Sequence, residues 1–223
     1  MADNTIEQIF EQTWAIREES VYPRLLGKLS PTISNIPPEF FTGHPHHMDP
    51  PALWLHYGII ESPPDEMRDC WAYLSSGLSN PTPDQCANPK ISEPSGIGFE
   101  VLMFTAERSP WAQKVMQWVM ANQLLTAAGR TDFDLIEIFD RISLPPALRP
   151  PPPSAMEYLF VVPAPADIQQ FELPTGRVEN LLLLAITAAE MKFARAQEGG
   201  GLLEVLRHHG VSRITDPTRA STV

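Results

Sequence analysis

The chain has 223 residues, 43% of them hydrophobic and 19% charged, which allows a sizeable core and excludes a disordered protein. Sixteen Lys and Arg against 27 Asp and Glu give a formal charge of -11. That balance excludes an ordinary phosphate-binding surface, since affinity for nucleic acid comes chiefly from cations neutralising phosphates; a basic protein is the better electrostatic match. Two cysteines cannot build a secreted disulfide framework. No apolar run approaches the roughly 20 residues of a spanning helix, and the first residues lack the charged and apolar regions of a signal peptide. The expectation is a cytoplasmic protein with no nucleic acid or membrane partner.

In chain order, Asn4 with Glu7 reads as a capping box opening an amphipathic helix through Ile6, Ile9, Phe10, Trp14 and Ile16. Pro23 is expected to end it, leaving Arg17, Glu18 and Glu19 as its solvated end. Residues 30–51 read as a Pro-rich loop. Its Gly43-His-Pro-His-His-Met-Asp49 stretch contains metal-ligand types, but no distant motif completes a site, so a His-rich surface loop is preferred. Ala52 to Ile60 reads as a strand, with His56 as a hydrogen-bonded structural histidine. Glu61 to Asp69 is acidic and broken by proline, hence an exposed connection whose Glu61, Asp65, Glu66 and Asp69 are candidate partner-binding residues.

Two strands come next, Trp71 to Ser79 and Ser95 to Thr105, joined by a Pro-rich loop over 80–94 in which Cys86 is expected to be a free thiol without a role. The second strand has Ile97, Phe99, Val101 and Met103 on one face and Glu100, Leu102 and Phe104 on the other, so both faces require cover and the strand is expected to be central. A carboxylate sharing a face with Leu102 and Phe104 needs a cation or backbone donors, and Glu100 reads as half of a structural pair rather than a general acid.

Ser109 as cap, Pro110 at the first helical position and Gly129 as terminator delimit a helix whose Trp111, Val115, Trp118, Val119 and Leu125 form one stripe facing a sheet. Residues 131–140 alternate Phe133, Leu135 and Phe139 against Asp132, Asp134 and Asp140, a strand pattern. Asp132 and Asp134 are the remaining candidate partner-binding residues. Together with Glu137 they form the alternative, a divalent-metal enzyme, although carboxylates on a strand's solvent face are the plainer reading. Residues 145–153 are a stiff Pro-rich spacer. Two more strands, 157–162 and 176–187, follow, then a helix capped by Thr187 and Glu190, a short helix over 201–210, a last strand over 211–215, and a loose end from Arg219.

Taken together, Trp71-Ala-Tyr-Leu-Ser-Ser-Gly-Leu-Ser79, Glu93-Pro-Ser-Gly-Ile-Gly-Phe-Glu-Val-Leu-Met-Phe104, the Pro110-Trp111 helix start and Gly201-Leu-Leu-Glu-Val-Leu-Arg207 ahead of Ile214-Thr-Asp216 resemble the Suppressor of fused family, in the family's order. The resemblance implies an α+β fold, a mixed and largely antiparallel sheet with flanking helices, in a single domain over 1–223 of the compact bacterial type. It also implies protein binding without catalysis or cofactor. The leading expectation is an immunity protein that neutralises a cognate polymorphic toxin domain with a basic surface; an intracellular regulatory scaffold is the other binding role. The six acidic candidates rest on charge and loop position alone.

Overall fold

The computed structural model describes residues 2–43, 49–197, 200–211 and 213–223; the His44–His47 stretch lies outside them. The elements are α1 (Ala2–Ala15), a π-helical stretch (Ile16–Val21), α2 (Tyr22–Leu26), β1 (Ile33–Asn35), α3 (Glu39–Thr42), a 3-10 turn (Ala52–His56), β2 (Gly58–Ser62), β3 (Trp71–Ser76), α4 (Pro83–Ala87) and β4 (Pro94–Thr105). They continue with α5 (Pro110–Ala127), β5 (Arg141–Ser143), a second 3-10 turn (Pro146–Leu148), β6 (Met156–Pro163), β7 (Gln170–Leu173), β8 (Gly176–Thr187), α6 (Ala188–Ala196) and α7 (Gly201–His208). The strands form one sheet in the order β1-β2-β3-β4-β8-β6-β5, with β7 also on β8. β4 and β8 run parallel, and the other named pairs are antiparallel. This is the α+β architecture expected from the sequence.

Strand β4 sits at the centre because both of its faces are apolar. Phe99, Val101 and Met103 enter one core with Val115, Met116, Val119 and Met120 of α5. Leu102 and Phe104 enter a second core with Val21, Tyr22, Met191, Leu202 and Leu206 from the helices on the opposite face. Helix α5 begins as its sequence predicts: the Ser109 hydroxyl accepts from the Ala112 N–H at 3.3 Å, with Pro110 in the first turn. Ser109→Ala is expected to cost about 1 kcal/mol in urea unfolding, the usual loss for a helix cap. A change under a few tenths would mean the bond carries nothing. Beyond the helix, Gly129 at φ 65 adopts the left-handed turn that an L side chain resists.

Several expectations fail for identifiable reasons. The helix starts at Ala2, so Asn4 lies within it and is not its cap. Pro23 does not end the helical run, because the preceding turn widens: the Tyr22 N–H donates to the Arg17 carbonyl, five residues back, and the chain then stays helical to Leu26 around a residue with no N–H to give. Ala52–His56 is a 3-10 turn, and strand starts only at Gly58; His56 is exposed. Residues 131–140 form no strand, since Gln123 of α5 holds them as an irregular segment by accepting from the Ile136 N–H at 2.9 Å. The 30–51 and 80–94 loops contain β1 with α3, and α4, respectively. Among the described residues of 211–215, Ile214 forms an isolated bridge to Phe104 in place of the expected strand. The end from Arg219 is not loose: Arg219 pairs with the buried Glu190 at 2.5 Å, and the Thr222 N–H donates to Glu190 at 3.0 Å.

Candidate partner-binding surface

The candidate surface stands on a charged core that the sequence concealed. Arg17 is fully buried, contrary to the solvated end expected of it. Its guanidinium donates to the Ser79 hydroxyl at 3.2 Å and to the Asn80 side-chain carbonyl, and lies 4.0 Å from the Glu100 carboxylate. Glu100, also fully buried, accepts from the Ser79 N–H at 2.9 Å, the Ser79 hydroxyl at 2.6 Å, the Gly77 N–H at 3.2 Å and the Ser75 hydroxyl. Glu18 joins the group, accepting from the Ser76 hydroxyl at 2.6 Å. Burial disfavours the Arg17 cation, but Tyr22, Glu100 and Glu18 outweigh it and raise the guanidinium above its ordinary value. With its oxygens taken up by these donors and no solvent access, Glu100 is a structural partner, as its sequence position suggested.

Of the first acidic segment, Glu61 is not in an exposed connection. It lies on β2, 6% exposed, and accepts from Arg108 at 2.9 and 3.1 Å. Asp65 closes a turn, accepting from the Lys28 N–H at 2.8 Å and the Met67 N–H at 2.9 Å; those N–H donors, the Lys28 bond foremost, hold its carboxyl below its ordinary value. Beneath it, Arg68 is 8% exposed and donates to the carbonyls of Cys70 at 2.9 Å, Ser62 at 3.0 Å and Pro63 at 2.8 Å, and to that of Leu26 at the end of α2. Glu66 and Asp69 remain exposed at the surface.

The second segment is freer. Asp132 and Asp134 are exposed, and between them Phe133 is 74% exposed, the most exposed large hydrophobic side chain among the described residues. Phe139 ends the segment at φ 76, a conformation costly for an aromatic residue. Its N–H donates to the Val161 carbonyl at 2.7 Å, and its ring stacks on Phe160 at 6.1 Å. Beside the segment lies a groove of about 930 Å³ lined by Trp118, Asn122, Phe133, Asp134, Glu137 and Ile142. β5 ends the sheet order here, so among the described residues no strand pairs its outer side. The other edge is better covered: Gln117 of α5 donates to the Ser34 carbonyl at 3.0 Å and the Asn35 carbonyl at 2.7 Å of β1.

Asp132, Asp134 and Glu137 do not converge as a ligand set; among the described residues no group of three or more His, Cys, Asp or Glu side chains is placed to hold a metal. Both cysteines are free and buried, and burial pushes the Cys86 thiol up, away from the reactive thiolate. Among the described residues no helix is long and apolar enough to cross a membrane.

The family model for the Suppressor of fused protein matches residues 54–220, well over half of the chain. The chain belongs to the Suppressor of fused family. The human Suppressor of fused homolog is 26% identical over 198 residues, covering 83% of this chain and 38% of the human protein, so the chain spans well under half the length of that relative. Among solved structures, the fold is shared with a chain in the crystal structure of the Sufu-Fu complex, with a TM-score of 0.61 at 20% identity over 98% of this chain and 92% of that one. It is also shared with a Suppressor of fused homolog from Neisseria gonorrhoeae FA 1090, with a TM-score of 0.59 at 14% identity over 97% and 98%. The matched region takes in β2 to α7, and with them both acidic segments and the groove under Phe133. Arg17, which completes the buried cluster of this Suppressor of fused chain, lies outside the matched residues.

Proposed function

We propose that this chain is a non-catalytic protein-binding module, a cytoplasmic immunity protein that holds and neutralises a toxin domain with a basic surface. One observation carries the binding reading: the exposed Phe133 between Asp132 and Asp134, over a large groove beside an unpaired sheet edge. An aromatic anchor supplies contact energy, surrounding carboxylates steer a cationic partner and set the approach rate, and an open edge offers backbone groups to an extended segment. Kinship with a family that includes a solved bacterial homolog, and with a protein solved as the Sufu-Fu complex, supports a protein as the partner. A chain of net charge -11 supports a basic one.

The test is co-expression with the toxin domain encoded nearby in the source genome. Wild type is expected to restore growth; the double variant Asp132→Lys/Asp134→Lys is expected to bind about tenfold or more weakly in a pull-down, with its urea midpoint unchanged. Unaltered killing in the presence of the protein would remove the immunity role. Unaltered capture by the double variant would remove this segment as the interface.

A further inference from the structure

A second groove opens where the parallel strands β4 and β8 part. They pair at Pro94 with Arg177 and again at Phe99 with Glu179, so Ser95 to Gly98 stand opposite Val178 alone. Gly98, at φ 94, lets the strand bow outward there. The resulting space of about 650 Å³ has Ile97, Phe99, Leu135, Ile138 and Leu181 among its lining. Ile97, Leu135 and Ile138 are only half-buried, so the floor presents apolar surface to a visitor. At the mouth stand Glu93, Glu137, Glu179 and Arg177. Glu93 is engaged by Lys90 at 2.7 Å, and Arg177 donates to the Ser92 carbonyl at 2.8 Å. Glu137 and Glu179 are exposed and have no ion-pair partner among the described residues.

We propose that this groove seats a large apolar side chain of a protein partner, flanked in the partner's sequence by Lys or Arg. The proposal rests on the protein-binding reading and adds a second contact to it. The groove's volume of about 650 Å³ lies within the range of ordinary binding pockets, with ample room for a large apolar side chain and its neighbours. The two unpaired carboxylates favour cationic flanks and disfavour an anionic ligand such as a fatty acid. Continuity argues for a polypeptide: Leu135, Ile136 and Glu137 line both this groove and the one beneath Phe133, so a single chain crossing that ridge reaches both.

The experiment titrates the full-length protein with the peptide Lys-Lys-Leu-Phe-Lys-Lys, its acidic twin Glu-Glu-Leu-Phe-Glu-Glu and its polar twin Lys-Lys-Ser-Ser-Lys-Lys, and follows methyl resonances by NMR. Saturable shifts at Ile97, Leu135, Ile138 and Leu181 are expected with the first peptide alone. Glu137→Lys/Glu179→Lys is expected to weaken that binding about fivefold or more, the effect of two rim ion pairs, and the exposed positions should leave the fold unchanged. No shift at millimolar peptide, shifts centred elsewhere, equal binding of the acidic twin, or indifference to the charge reversal each overturns the groove. Capture of a toxin by wild type and charge-reversed protein alike removes the groove and leaves the protein-binding reading. Groove binding in a chain that protects against no toxin removes the immunity role and leaves the groove.

Discussion

Replacing Glu100 by Leu is expected to cost more than replacing Arg17 by Met, although the two form one buried pair. Removing one partner of a buried pair costs about 3–5 kcal/mol, because the remaining charge is stranded. Here the two halves are unequally supported. Without Arg17, Glu100 still accepts from the Gly77 and Ser79 N–H groups and from the Ser75 and Ser79 hydroxyls. Without Glu100, those donors lose their acceptor together, and the turn from β3 toward α4 loses its centre, while Arg17 keeps Ser79, Asn80, Glu18 and the faces of the Trp14 and Tyr22 rings. Arg17→Met is thus expected near the lower end, about 3 kcal/mol, and Glu100→Leu near or beyond about 5 kcal/mol, a large part of the roughly 5–15 kcal/mol that holds a domain folded. Urea unfolding of both variants decides it. If Glu100→Leu does not fold, Glu100→Gln keeps one acceptor oxygen but strands the Arg17 charge and turns an amide NH2 toward donors, so it too is expected to cost more than Arg17→Met. Equal or reversed costs for Arg17→Met and the Glu100 variants would show that the carboxylate is not the organising group.

That cluster also marks where the sequence stops being readable. Period-two alternation from Ile97 to Phe104 and the Ser109-Pro110 start with its Gly129 stop are local signals, and local backbone rules decided them correctly. The need of Glu100 for a cation was legible from its apolar neighbours. Its source was not, because Arg17-Glu18-Glu19 carries the pattern of a solvated helix end, and only the widened helical turn and the approach of β4 bring Arg17 inside. Glu61 was misjudged for the mirror reason: the prolines that follow it made its surroundings read as a loop, while β3 and Arg108 cover it. Residues 131–140 alternate like a strand, but strand pairing needs a neighbour, and β6 takes β5 as its partner in that part of the sheet. The acidity of that segment was plain from the sequence; the groove beneath Phe133 was not, since it is assembled from α5 and β5 as well.

Acid should loosen the C-terminal end before the rest of the chain. Glu190 caps α6, taking the Thr187 N–H at 2.9 Å, and is clasped by Arg219 at 2.5 and 2.8 Å and by Thr222 at 2.9 and 3.0 Å. Burial alone pushes its carboxyl up, but the hydrogen bonds and charge of Arg219, with the N–H groups of Thr187 and Thr222, overcome this and hold it below its ordinary value of 4.5. A carboxyl depressed by folding stabilises fully above its unfolded value, and that contribution disappears as the pH falls through the lower, folded one. The window therefore opens at about pH 5 and extends downward. Asp216 titrates in the same direction, held down by the Thr218 hydroxyl and N–H, so the contribution of Glu190 has to be read as a difference. At neutral pH Glu190→Gln is expected to lose about 2 kcal/mol, the scale of hydrogen bonds to charged groups, and Arg219→Ala a similar amount. From about pH 5 downward the gap between wild type and Glu190→Gln is expected to narrow, and to close as the pH falls through the depressed folded value, because protonation then removes from the wild type what the amide lacks. Urea midpoints measured from pH 7 to pH 3 give the answer. A gap that stays constant across that range, or widens toward acid, would mean that Arg219 does not hold an ionised Glu190 and that the last five residues are fixed by something else.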